Sequence, residues 1–386
     1  MFVCFATTVR GLEQLLIDEL STLGAQELVS VNAGVEFKAD LVTVMKMNLH
    51  SRLASRILIR LVYAGYRNEN DIYQLAKKIE WNDWFHVGQT IKVSTSAIAC
   101  PLKSLDFITL KVKDAICDYF VDLVDARPSI NKVEPDMRIY NFLTSDTVAI
   151  YLDTSGEALF KRGYRKLKLE APIRENLAFG LIKLSGWQPE QAFYDPMCGS
   201  GTLVVEAICY ALNIAPGLNR TFAFEKFADI DADLFMQMKE GAKQAINYQK
   251  KLQIFASDIN KTAIQIAQQN FQQIKLDQYV TFSSGDFLSK MAPATTGVLL
   301  TNPPYGIRLD ELDRLANLYP QLASHLKQNY AGWECYFFSG DLRLPKLFRL
   351  KPKCKTVLFN GAIECRLYGF SMVAGSNRKD KTSLTS

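Results

Sequence analysis

The chain has 386 residues, 48% of them apolar and 22% charged, with a formal net charge of +5. That length predicts two or more domains, and the composition excludes a disordered or fibrous chain. The mild positive charge permits a nucleic-acid partner without arguing for one, since patches matter more than the sum. Eight scattered cysteines and three histidines, His50, His86 and His325, form no CxxC pair and no Cys/His cluster. This argues against a zinc or other metal site and predicts free thiols in a reducing cytoplasm. The N-terminus, Met-Phe-Val-Cys-Phe-Ala-Thr-Thr-Val-Arg, lacks the layout of a signal peptide. No run approaches the roughly 20 apolar residues of a membrane span, so an intracellular soluble protein is expected.

In chain order, residues 2–7 read as a strand. Leu12, Leu15, Leu16, Leu20 and Leu23 then mark a helix over 11–23, with Gly24 just past its end. Strand patterns follow at 27–31 and 34–38, a helix at 41–49 and a strand at 56–62, together a small α+β unit. From Asp71 a helix leads to Glu80 and to Trp81-Asn82-Asp83-Trp84-Phe85. A strand at 90–95, a long helix at 104–121 and paired strands at 137–143 and 147–153 complete a second module. It closes on the basic run Leu159-Phe160-Lys161-Arg162-Gly163-Tyr164-Arg165-Lys166-Leu167-Lys168.

Beyond Lys168 the pattern changes to alternating strands and helices. Helices are expected at 173–184, 202–211, 261–271 and 312–329, and strands at 192–194, 254–256, 280–283, 297–300 and 334–339. Such alternation predicts a parallel sheet with helices on both faces. Two last runs, 356–360 and 363–368, are separated only by Gly361 and Ala362 and predict an antiparallel hairpin at the sheet edge. The Ser/Lys/Thr-rich stretch 375–386 is expected to be a disordered tail.

Four motifs fall at successive strand ends of this second half. The first, Phe193-Tyr194-Asp195-Pro196-Met197-Cys198-Gly199-Ser200-Gly201-Thr202, sits where a strand turns into a helix, the ligand crevice of open α/β sheets. Gly199 and Gly201 would let the backbone approach a ligand. The third glycine of a dinucleotide fingerprint is Val204 here, and a P-loop lysine is lacking. A carboxylate at Asp195 would repel a pyrophosphate and suit a cationic ligand. The next strand ends in Ser257-Asp258-Ile259-Asn260, where an acid can accept both hydroxyls of a ribose. A third leads to Gly285-Asp286-Phe287, whose Asp is expected on an adenine amine with Phe287 packed on the ring. Taken singly, each Asp reads more readily as a solvated loop residue or helix N-cap, and their value lies in falling at successive strand ends in order. The fourth strand, Gly297-Val298-Leu299-Leu300, stops at Asn302-Pro303-Pro304-Tyr305, two prolines that end any strand between an amide and a phenol.

In that order the four motifs resemble the class I S-adenosylmethionine-dependent methyltransferases, over roughly 171–370, and predict their Rossmann-like α/β fold. Within them Asn-Pro-Pro-Tyr marks enzymes that methylate an amino nitrogen conjugated to a ring or carbonyl. The resemblance implies S-adenosylmethionine as cofactor, with no metal. Its pocket would comprise Asp195, Pro196, Cys198, Gly199, Gly201, Thr202, Asp258, Ile259, Asp286, Phe287 and Asn302. The catalytic group would be Asn302, Pro303, Pro304 and Tyr305. The Asn302 amide oxygen and the Pro303 carbonyl would accept the two N–H bonds of the target amine, Pro304 would stiffen the loop, and Tyr305 would stack on the base. Met197 departs from the family pattern, where many members place a further glycine. So does the long interval from Asp195 to Asp258, filled by an insertion from Ala215 through Lys243 that is expected to add a helix near the cofactor pocket.

The first half resembles a THUMP RNA-binding domain at 66–165, preceded by its ferredoxin-like companion at 1–65, ahead of a methyltransferase domain at 166–374. Lys161, Arg162, Arg165, Lys166 and Lys168 would form its phosphate-contacting strip. A second basic cluster comprises Arg343, Lys346, Arg349, Lys351, Lys353 and Lys355. The whole chain is similar to the bacterial THUMP-containing 23S rRNA guanine-N2 methyltransferases. The resemblance implies a partner in 23S rRNA or a ribosome-assembly intermediate, with neither membrane nor DNA. A tRNA guanine-N2 enzyme shares the domain order, and a non-catalytic RNA-binding or ribosome-assembly module is the reading from another class. DNA adenine-N6 methylation is disfavoured, because a THUMP-like half has no purpose there.

Overall fold

The computed structural model describes residues 1–164, 173–304 and 309–373, with only the backbone of 309–314. The described elements, in chain order, begin with β1 (Phe2–Thr7), α1 (Glu13–Leu23), β2 (Gln26–Val31), β3 (Gly34–Ala39), α2 (Leu41–His50) and β4 (Arg56–Gly65). Then come α3 (Glu69–Lys77), β5 (Ile91–Ala97), α4 (Leu105–Val124), β6 (Met137–Leu143) and β7 (Thr147–Asp153). The second half has α5 (Glu175–Ser185), β8 (Ala192–Asp195), α6 (Thr202–Ala211), α7 (Ala232–Gln244), β9 (Ile254–Asp258), α8 (Lys261–Gln273) and β10 (Thr281–Ser284). It ends with β11 (Gly297–Thr301), α9 (Leu309–Asn329), β12 (Trp333–Ser339), α10 (Leu344–Phe348), β13 (Cys354–Asn360) and β14 (Ile363–Ser371). The chain divides into two compact units, one of residues 1–163 with 214–246, the other of 164–213 with 247–386.

In the first unit one sheet of order β2-β3-β1-β4-β7-β6-β5 carries both of the modules read from the sequence. They meet at β4, which pairs with β1 on one side and from Leu58 onward with β7 on the other, and which runs three residues beyond its expected end. Its first half pairs with β1, and its second half continues along β7, with Val62 opposite Ile150 and Gly65 opposite Thr147. Ala64 and Gly65 have weak strand propensity, so it is the pairing with β7 that recruits them. Ser104 caps α4 by accepting from the Phe107 N–H at 3.2 Å, and Ile108, Val112, Ala115, Ile116 and Phe120 form its buried stripe.

The insertion expected beside the cofactor pocket instead belongs to the first unit. Gly217 N–H donates to the Leu49 carbonyl at 2.9 Å, and Arg52 Nη2 donates to the Ile214 carbonyl at 2.6 Å. A Cβ at Gly217 would sit 2.8 Å from Leu49 backbone, so only glycine permits this approach. Phe222, Phe224 and Phe235 form their own aromatic cluster, with the Phe224 and Phe235 centroids 4.7 Å apart. That cluster gives the segment an apolar face to bury.

The second unit holds a sheet of order β10-β9-β8-β11-β12-β14-β13. Strands β8 to β12 are parallel, β14 is antiparallel to β12, and β13 and β14 form the expected edge hairpin. From β8 the chain moves through α6 to β9 on one side, whereas from β11 it moves through α9 to β12 on the other. The C-terminal ends of β8 and β11 therefore flank the topological switch point, where open α/β sheets place their ligand crevice. Buried Leu299, Phe337, Trp333 and Tyr330 fill the core near these strands.

Candidate active site

Asp195 ends β8 on one side of the crevice and Asn302 follows β11 on the other. Thr301 links them, its Oγ1 donating to Asp195 Oδ1 at 2.8 Å, and Met197 N–H donates to the same oxygen at 3.2 Å. Asp195 is 2% exposed. Burial pushes its carboxyl up to about 7, against the pull of the Thr301 and Met197 hydrogen bonds, and the nearby Asp258 charge adds to the rise. A carboxyl held this way gains most when a cation comes beside it.

The loop from Pro196 to Gly201 is stitched to β9. Ser257 Oγ donates to the Pro196 carbonyl at 3.3 Å, Cys198 N–H to the Ser257 carbonyl at 2.9 Å, and Gly199 N–H to Asp258 Oδ2 at 2.9 Å. Gly201 has φ +85°, and a Cβ there would lie 2.7 Å from the Phe271 ring. The turn therefore needs glycine for its conformation and for space. Thr202, the first residue of α6, is buried. Cys198 is buried as well, and burial pushes its thiol well above the ordinary range, so it is a packing group rather than a nucleophile.

Asp258 also accepts from Asn260 N–H at 2.9 Å. Each carboxylate oxygen has a second lone pair, so both can still accept a hydroxyl. Ile259 beside it is 70% exposed, an apolar surface at the rim. Asp286 is exposed and caps the turn Phe287–Ser289 by accepting from Leu288 N–H at 3.0 Å, the structural role weighed for it from the sequence.

Phe287 corrects an expectation. Its side chain is 3% exposed and packs against Tyr194, His325 and Tyr330 at centroid distances of 6.1, 5.1 and 5.4 Å. A ring so enclosed has no face to offer an adenine. Its apolar area is already spent on the core.

At the other wall Asn302 is half-buried, Pro303 buried and Pro304 exposed. The Asn302 Oδ1 is buried and has no hydrogen-bond partner among the described residues. An unpaired buried acceptor costs about 1–3 kcal/mol, which a ligand N–H would recover. Tyr305 lies outside the described residues, as do Arg165, Lys166 and Lys168 of the basic strip. Of that strip, Lys161 is exposed and paired with Glu157 at 2.8 Å. Arg162 is 9% exposed and donates from Nη2 to the Arg52 carbonyl at 2.7 Å, so most of its side chain is buried within the first unit.

Thr301 and Ser257 receive no role in the sequence reading, although Ser257 opens the motif that carries Asp258. Each lies next to a motif residue on a strand that read only as apolar filling, and hydroxyls there gave no periodic signal. Among the described residues no group of three or more His, Cys, Asp or Glu side chains gathers where it could hold a metal ion. No described helix is long and apolar enough to cross a membrane.

Residues 162–369 match the family model described as RMKL-like, methyltransferase domain. The chain belongs to that family. Residues 66–153 match the THUMP domain and residues 3–58 the RlmL ferredoxin-like domain. This RMKL-like chain is 39% identical over 377 residues to the ribosomal RNA large subunit methyltransferase K/L of Psychromonas ingrahamii, covering 96% of its own length and 50% of that protein. It thus spans about half the length of that relative. It is 35% identical to slr0064 of Synechocystis, with 95% of this chain and 96% of slr0064 covered. Among solved structures, SMU.472, complexed with SAH, shares the fold with a TM-score of 0.88 at 30% identity, over 97% of this chain and 99% of that one. The expected Rossmann-like class I methyltransferase domain, preceded by ferredoxin-like and THUMP regions, is the architecture present.

Proposed function

We propose that the chain transfers a methyl group from S-adenosylmethionine to the exocyclic N2 amine of a guanine in 23S rRNA. The observation that carries this is the buried Oδ1 of Asn302 at the switch-point crevice, without a partner among the described residues. An exocyclic amine is a poor nucleophile, because its lone pair is delocalised into the ring. Two acceptors, Asn302 Oδ1 and the Pro303 carbonyl, draw its two N–H groups into fixed directions and turn the lone pair toward the electrophile. A ring nitrogen such as N7 has no N–H to give them, which favours the amine. Catalysis by these residues is orientation, a term worth up to about 7–11 kcal/mol when both partners are held.

The crevice fits the cofactor on the chain's own evidence. Asp195 is a buried carboxyl poised to release its proton to solvent when a cationic ligand binds beside it. Asp258 lies at the next strand end with acceptor capacity for ribose hydroxyls, and Gly199 and Gly201 keep side chains away from the crevice. S-adenosylmethionine, when bound, supplies an electrophilic methyl on its sulfonium. The SAH complex of SMU.472 and the THUMP match support cofactor and RNA, and the name of the Psychromonas relative supports the large-subunit rRNA. Calorimetric titration with S-adenosylmethionine tests the enzyme reading; absence of binding overturns it. Mass-spectrometric mapping of methylated nucleosides in rRNA and tRNA from a deletion strain tests the substrate. Loss of an N2-methylguanine from 23S rRNA is expected, and loss only from tRNA overturns the rRNA assignment.

A further inference from the structure

A cleft of about 1110 Å³ lies within the first unit, and its walls come from four separate parts of the chain. One wall is the start of β4 with Arg56, and another the start of β6 with Arg138 and the preceding residues 133–136. The third is the segment 156–163, and the fourth is the insertion, contributing Arg220, Lys226 and Lys239. Of its twenty lining residues seven are Lys or Arg and three are Asp or Glu, so the wall carries an excess of four positive charges.

Part of this charge is compensated. Arg56 pairs with Asp153 at 2.5 Å, Lys226 with Asp136, Lys161 with Glu157 at 2.8 Å, and Lys239 with Glu225 at 3.8 Å. Arg138 and Arg220 differ: neither forms an ion pair with a described residue. Arg220 is held by neutral groups instead, donating to the Ala158 and Ser155 carbonyls at 2.9 and 3.3 Å, with its guanidinium 5.1 Å from the Phe222 centroid. Carbonyls fix its position, and the Glu157 and Asp153 carboxylates attract its charge without forming an ion pair with it. Burial lowers its pKa, the expected mark of a cation held where water does not fully solvate it. The Nε atoms of Arg138 and Arg220 are both buried without a hydrogen-bond partner among the described residues. Two such guanidinium groups in a cleft lined by seven Lys and Arg side chains suit a polyanion.

We infer that this cleft is a phosphodiester-binding site for the RNA strand, completed by the insertion that leaves the methyltransferase unit at residue 213 and returns at 247. The volume exceeds the range of about 300–1,000 Å³ typical of small-ligand pockets, and the cations are spread over four walls rather than gathered on one phosphate. The lining aromatic, Phe222, is buried against Phe224 and offers no stacking face. The site therefore grips backbone and leaves bases unread. This deepens the proposed function and rests on its RNA substrate. The insertion's part follows from geometry: with 214–246 removed, the cleft loses Arg220, Lys226 and Lys239 and keeps its acids.

The test compares binding of a single-stranded RNA oligonucleotide as a function of salt. Each neutralised phosphate contributes a slope of about −0.7 in log K against log salt. The double variant Arg138→Gln/Lys226→Gln is expected to weaken binding and reduce the slope by about 0.7 from Arg138 and by up to about 1.4 if Lys226 leaves Asp136 for a phosphate. Glu157→Gln, which frees exposed Lys161, is expected to strengthen binding. S-adenosylmethionine titration of the same variants reports whether the second unit is intact, and circular dichroism whether the first is. Wild-type binding with an unchanged slope in the folded double variant and no gain in Glu157→Gln overturns the cleft assignment alone. No RNA binding by the wild type overturns the RNA substrate with it.

Discussion

Replacing Asp195 by Asn tests the claim that the crevice holds a carboxyl poised for a cation. The folded-state pKa of Asp195 is raised from 3.8 to about 7 by burial. A difference of about three pH units, at about 1.4 kcal/mol each, amounts to about 4 kcal/mol. The folded protein binds this proton more tightly than the unfolded chain does, so the stabilisation is complete below the ordinary carboxylate pKa. It is lost as pH rises through about 7. The amide of the Asp195→Asn variant keeps an Oδ1 acceptor for Thr301 and Met197 but has no proton to lose, and its buried NH2 adds a penalty of about 1–3 kcal/mol. Thermal unfolding at pH 5 and pH 8 without cofactor is the assay. Wild type is expected to lose stability between these values relative to Asp195→Asn, the variant gaining on it by about 2–3 kcal/mol. In wild type a cationic cofactor draws the carboxyl back to its ionised form, so affinity for S-adenosylmethionine should fall up to about tenfold per pH unit below 7. A 100-fold excess over Kd stabilises by about 2.7 kcal/mol, a gain the variant should lack. Parallel pH profiles for the two proteins would refute the reasoning.

Three further substitutions separate the roles assigned in the site. Asn302→Ala should lower methyl transfer by at least about 100-fold, equivalent to about 2.7 kcal/mol, with cofactor affinity within a few fold by calorimetry. Unchanged turnover would remove Asn302 from the mechanism. Gly201→Ala, whose Cβ would meet the Phe271 ring at 2.7 Å from a backbone at φ +85°, should cost about 1–3 kcal/mol in denaturant unfolding. The same change should abolish cofactor binding, and near-normal binding would show that the turn has room to spare. Phe287→Leu should destabilise by about 1 kcal/mol or more while leaving cofactor affinity unchanged, because its ring packs in the core. A selective loss of affinity would return that ring to the pocket.

Much of the site was legible because its chemistry is local. A glycine-bearing turn after Asp195, acids after two further strands and Asn-Pro-Pro after a fourth are each written within a few consecutive residues. Their order along the chain maps onto strand ends of a parallel sheet. The hairpin of β13 and β14 was equally plain, since two residues cannot connect anything but antiparallel neighbours. Phe287 misled because an aromatic beside a strand-end acid looks the same whether its ring faces a ligand or the core. The burial of Arg162 was illegible for the same reason: a cation in a basic run is solvated or buried according to what lies across from it.

The sequence by itself determined the α/β character of the second half, the crevice motifs and the separation of a methyltransferase region from an α+β region before it. Those features depend on residue types and spacings within one element or turn. Only the tertiary structure decided that β4 joins two modules into one sheet, because the partner strand β7 lies more than eighty residues away. It also decided that the insertion serves the first unit and brings Arg220 against segment 155–158. These outcomes turn on which distant surfaces bury one another, and burial is a property of pairs of surfaces that no single stretch of sequence contains.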